Sequence, residues 1–84
     1  MKAYIQVSVE PGNTRKVLSD CLKVPGVVEG HVVLGPFDVM LELEQASVSE
    51  LMQTVEQKLH NITGIQRTST VICFEAGMWW FFKS

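Results

Sequence analysis

Val27-Val28-Glu29-Gly30-His31-Val32-Val33-Leu34-Gly35-Pro36-Phe37-Asp38-Val39-Met40-Leu41-Glu42-Leu43-Glu44 is the stretch on which the fold turns. Val39, Leu41 and Leu43 alternate with Met40, Glu42 and Glu44, a period of two that only a strand explains. Val27 to Leu34 is rich in β-branched residues and reads as a second strand. Only Gly35-Pro36-Phe37 lies between them. A connection that short joins antiparallel neighbours, so residues 27–44 form a hairpin.

The pattern changes on both sides of this hairpin. Upstream, Val17, Leu18, Cys21 and Leu22 share one face at helical spacing, Asn13 or Thr14 can cap the start, and Pro25-Gly26 ends the run. Downstream, Ser47-Val48-Ser49-Glu50 has the form of a capping box. Behind it Val48, Leu51, Met52, Val55, Leu59 and Ile62 step along one helical face until Gly64. Outermost are two more strands. Ala3 to Val9 alternates Ala3, Ile5, Val7 and Val9 with Tyr4, Gln6 and Ser8, and Ile65 to Glu75 closes the series.

The order is therefore βαββαβ, an α+β ferredoxin-like sandwich with both helices on one face of the sheet. An internal echo agrees. Lys23-Val24-Pro25-Gly26-Val27 and Asn61-Ile62-Thr63-Gly64-Ile65 mark the two helix-to-strand exits, offset by 38 positions. The opposite face carries Tyr4, Gln6, His31, Val33, Met40, Val71 and Cys73, too apolar to be freely solvated and too polar for a deep core. A second subunit commonly closes such a face, which predicts a face-to-face dimer.

Composition narrows the function. A chain of 84 residues is one domain, 1–84, with a thin stability margin of its own. Two cysteines without CxxC spacing read as reduced, apolar side chains, and two isolated histidines offer no metal cluster. A net charge of −2 with scattered Lys and Arg argues against direct nucleic-acid binding. The N-terminus MKAYIQVSV alternates and is neither a signal peptide nor a membrane span, so the expected location is the cytoplasm.

No catalytic constellation stands out, and no cofactor is expected. His31 falls on the sheet face and His60 near the end of the second helix; both read as structural histidines. Glu42 and Glu44 read as a solvated strand edge. Asp38 follows the Gly35-Pro36-Phe37 turn, where it could receive an ammonium group, while Thr68, Ser69 and Thr70 could hold a carboxylate. Equally, Asp38 could be a turn residue and the hydroxyl run a matter of β-propensity. The residues alone leave both open.

Ala3-Tyr4-Ile5 through Val9-Glu10-Pro11-Gly12, with a helix ending Val24-Pro25-Gly26-Val27, resembles the opening of the Lrp/AsnC effector-binding (RAM, regulation of amino acid metabolism) domain. Gly35-Pro36-Phe37-Asp38 is similar to that family's Gly-x-aromatic-Asp signature, and Arg67-Thr68-Ser69-Thr70-Val71 to its final strand with a Thr-x-Thr step. The likeness spans residues 3–75. It implies a dimeric α/β barrel assembly whose dimers associate further, sometimes into rings such as octamers, with an amino-acid effector bound between subunits. Carried over by position, the effector site comprises Gly35, Phe37, Asp38, Thr68, Ser69 and Thr70, with Asp38 meeting the amino group.

The family's helix-turn-helix has no counterpart in this sequence, so a stand-alone effector domain is expected. It would sense an amino acid alone or by co-assembly with full-length Lrp/AsnC regulators. The apolar tail, residues 76–84, is expected to pack on a neighbouring subunit. The rival readings are a dimeric α/β-barrel monooxygenase using His31, an ACT-like amino-acid module, and an assembly scaffold without a ligand.

Overall fold

A computed structural model describes residues 1–73 of the chain. Its elements run β1 (Lys2–Val9), α1 (Thr14–Leu22), β2 (Val27–Val32), β3 (Val39–Glu44), α2 (Val48–Gln53) and β4 (Ile65–Cys73). The sheet order is β2-β3-β1-β4, every neighbouring pair antiparallel. This is the ferredoxin-like βαββαβ arrangement expected. The tail expectation, residues 76–84, lies outside the described residues.

The central strand β1 alternates buried and half-buried along its whole length. Ala3, Ile5 and Val7 are fully buried and join Val39, Leu41 and Leu43 of β3 beneath the helices. Val17 and Cys21 of α1 and Leu51, Val55 and Leu59 of the second helix complete this core. Removing these side chains from water is the main stabilising term. Burial also pushes the Cys21 thiol up to about 11.

Both helix exits use the same turn. Gly26 and Gly64 each have φ of +100°, and the next residue's N–H returns to a carbonyl three positions back, Val27 to Val24 at 3.1 Å and Ile65 to Ile62 at 3.4 Å. A side chain at either glycine would be strained by φ alone. At Gly26 it would also collide with Gln45, whose amide donates to Pro25 O and Thr54 Oγ1.

Three local readings change. Asn13 stands at the start of α1, yet neither its side chain nor any other caps it there; its carbonyl accepts the Val17 N–H at 2.9 Å. The capping box is shifted by one residue: Ser47 Oγ accepts the Glu50 N–H, while Glu50 reaches back to the Ala46 N–H at 3.0 Å. The second helix widens after Gln53 into a π-helical turn, Thr54–Leu59, in which the His60 N–H bonds to Val55 O at 3.1 Å. That widening keeps Thr54 and Val55 both buried, whereas Val48 and Met52, expected on the buried stripe, are over a third exposed. An unbroken 3.6-residue period cannot anticipate an inserted π turn.

Candidate functional site

The strand register assembles the site. Across β1 and β4, Gln6 stands opposite Ser69 and Ser8 opposite Arg67. Because faces alternate along a strand, these four side chains share the sheet face that the helices leave uncovered. The β2–β3 connection closes over their end, and together they line a cavity of about 440 Å³ with Pro36, Phe37 and Thr68.

Asp38 holds that connection in position. Its N–H donates to Val7 O at 2.9 Å, and its Oδ2 accepts the Val9 N–H at 2.8 Å. The side chain thus supplies the next acceptor where the β1–β3 ladder, last paired at Val7 and Val39, runs out. Val9 shares the β3 side of β1 with Val7, beyond the last β1–β3 pair, so its N–H would otherwise lack a strand partner. The clamp fixes Pro36 and Phe37 above Gln6 and Ser8.

Of the six residues expected at the site, Phe37, Thr68 and Ser69 border the cavity; Gly35, Asp38 and Thr70 do not. Thr70 stands opposite Ile5, on the helix-covered side. The Thr68 hydroxyl is engaged as well, 2.8 Å from His60 Nε2. Strand alternation separates the hydroxyl run, leaving Ser69 alone on the open face. Gly35 is exposed, and nothing among the described residues lies within 4 Å of where a side chain would start.

Arg67, Gln6, Ser8 and Pro36 line the cavity without having been singled out. Arg67 stands out, because its exposed side chain is the one cation among the described residues that line the cavity. The β1–β4 pairing was the signal that could have found it, since Arg67 sits two residues before Ser69 on the same face. A guanidinium with two hydroxyls and a carboxamide beside an aromatic ring can hold a small carboxylate and cover its apolar part.

Among the described residues no group of three or more His, Cys, Asp or Glu is arranged to hold a metal ion. His31 Nε2 lies 3.0 Å from Glu29 Oε1 on the exposed edge of β2, away from the cavity. No helix of the described residues is long and apolar enough to cross a membrane.

Known proteins are similar to this chain in sequence and fold. A helix-turn-helix-type transcriptional regulator of Pyrococcus furiosus, PF0250, is 33% identical over 75 residues, covering 86% of this chain and 50% of its own. The chain spans about half the length of the curated relatives it matches. The structure of TTHA0845 from Thermus thermophilus superposes with a TM-score of 0.85 at 25% identity, over 89% of this chain and 94% of that one. NMB0573 of Neisseria meningitidis, a transcriptional regulator in complex with L-Met, has a TM-score of 0.78 at 20% identity, over 88% of this chain and 49% of its own, a likeness of fold. The family model of the Lrp/AsnC ligand binding domain matches residues 2–77. The chain belongs to that family.

Proposed function

We propose that this chain is an amino-acid sensor, binding the α-carboxylate of a free amino acid at Arg67, Ser8 and Ser69. The observation that carries this reading is the cavity itself: one guanidinium, neutral hydrogen-bonding groups and the Phe37 ring converge on a space of small-molecule size. The L-Met in the Neisseria regulator belongs to that protein and supports amino acids only as the first class to test.

The reading gives Asp38 two roles. It clamps the β2–β3 connection through Val9, and in the liganded site its carboxylate receives the effector's ammonium group. Gly35 and Thr70 act by keeping the connection and β4 in register.

The open face of the sheet meets its equal in a second copy, giving a dimer of the α/β-barrel type. Tyr4, Met40, Val71 and Cys73 supply apolar contact, and Val71 is 51% exposed in the single chain. The cavity opens on this same face, so a neighbouring subunit completes it. Effector binding and assembly are then linked, and the sensor acts alone or by joining full-length regulators in mixed oligomers.

Titration calorimetry tests the site. An amino acid that binds the native chain should lose its heat signal with Arg67→Ala, while Arg67→Lys keeps part of it because it retains charge without the planar fork. Unchanged affinity in Arg67→Ala would remove the carboxylate assignment. Sedimentation at micromolar concentration tests the dimer, and a purely monomeric boundary would contradict it.

A further inference from the structure

Strand β2 is one of the two edges of the sheet, and its outer side is unpaired among the described residues. Apolar residues cluster along it. Val28 is 57% exposed, Val32 50% and Leu22 of the adjoining α1 47%. Beside them runs a groove of about 660 Å³ bordered by Leu18, Leu22 and Val32 and rimmed by Arg15 and Lys23. An unpaired strand edge is a template for another strand, and in β2 the regular part of that edge runs from Glu29 to Val32, after the β-bulge between Val27 and Glu29.

The sequence of this edge is complementary to itself. Val27-Val28-Glu29-Gly30-His31-Val32-Val33 reads the same in both directions about Gly30, except that an acid stands opposite an imidazole. The backbone fits the same axis. The Val33 N–H bonds inward to Asp38 O at 2.9 Å. In an antiparallel ladder the inward positions alternate, so His31 also turns its backbone groups to β3, and Gly30 and Val32 turn theirs outward.

We infer that β2 pairs edge to edge with the β2 of a second copy, antiparallel about a two-fold axis at Gly30. Gly30 then exchanges both backbone hydrogen bonds with the partner's Gly30. The regular pairing runs over Glu29 to Val32; Val28, at the β-bulge between Val27 and Glu29, falls outside it. Glu29 falls opposite the partner's His31 as a non-hydrogen-bonded pair, the arrangement that brings side chains closest. Within one chain Glu29 faces Glu42 across the sheet and already lies 3.0 Å from its own His31; the pairing exchanges that exposed contact for the partner's imidazole. Gly30 itself is explained inside the chain, because a side chain there would meet Leu18 and Leu41 at 2.9 Å.

This contact is separate from the face-to-face dimer and does not depend on the effector reading. It joins two sheets side by side, uses one patch twice, and links dimers into larger assemblies.

Cross-linking tests it. Glu29→Cys and His31→Cys proteins are prepared separately in a Cys73→Ser background, then mixed with a mild oxidant. The pairing predicts disulfide-linked dimers in the mixture and not in either protein alone, while the other crossing keeps its Glu29–His31 pair. Face-to-face sheets, ~10 Å apart, cannot satisfy the disulfide's Cα separation of roughly 4.4–6.8 Å. Val32→Pro in both proteins removes an outward N–H that no hydrogen bond among the described residues uses and should abolish the link with circular dichroism unchanged. No more cross-linking in the mixture than in the separate proteins, or none lost with Val32→Pro, would overturn the inference. If Val32→Pro disturbs folding, His31→Glu replaces it. That variant should shrink the assembly in sedimentation, and the exchange Glu29→His with His31→Glu should restore it; equal sizes for all three would also overturn the pairing.

Discussion

Ile5 and Gln6 are consecutive in β1 and live in different environments. Ile5 is fully buried under the helices, whereas Gln6 lines a cavity on the uncovered face. The same contrast runs down the strand, Ala3, Val7 and Val9 against Lys2, Tyr4 and Ser8. One face of the sheet is committed to folding, and the other, uncovered by the helices, is where the proposed reading puts ligand and partner. A single strand can do both because its side chains alternate, so a substitution on one face need not disturb the other.

That division is open to direct attack. Ile5→Ala removes a fully buried side chain from the central strand and should cost about 2–5 kcal/mol, read as a lower urea midpoint at constant slope. Loss of amino-acid binding without loss of stability would break the assignment of faces. Asp38→Ala, at the boundary between the faces, should cost ~1–3 kcal/mol by leaving the Val9 N–H without its acceptor, and should abolish binding as well. Asp38→Asn separates the two roles. It keeps an acceptor for Val9, so stability should hold while binding of an ammonium group falls; unchanged affinity in calorimetry would reduce Asp38 to its clamp.

Cysteine chemistry sharpens the contrast. Cys21 is buried in the core and Cys73 is half-buried on the open face, so a thiol reagent should label Cys73 first and Cys21 only on unfolding. With the Cys21 pKa raised from 9.0 to about 11, the unfolded chain gives up this proton at lower pH than the folded one. Stability should therefore fall as pH rises through that window, and the fall should be smaller in Cys21→Val. Urea midpoints at pH 8 and 11 provide the measurement. The smallest effect belongs to Val71→Ser on the open face, within about 0.5 kcal/mol in stability. Its consequence should appear instead as a weaker dimer in sedimentation.

The fold was legible because each element announced itself locally. The alternation in β1 and β3, the short turn at Gly35 and the repeated glycine exits all reflect constraints within a few residues. The π-helical turn was not legible, since no period in the sequence marks it; its first residue, Thr54, is held by a hydrogen bond from Gln45, far from any local pattern. The site was legible only in part. Phe37 and Ser69 could be named from the family likeness, but the likeness treats Thr68, Ser69 and Thr70 as one group, and the strand sends them to opposite sides. Arg67 emerged only with the register that sets it across from Ser8, a contact between residues 59 positions apart.

The sensor reading stands or falls on a thermal-shift screen of the twenty amino acids against the native chain and Arg67→Ala. A ligand that binds only the folded state must raise the apparent melting temperature. One or a few amino acids should stabilise the native chain and leave the variant unmoved. No shift with any of the twenty, or an equal shift in both proteins, would refute an effector site at Arg67.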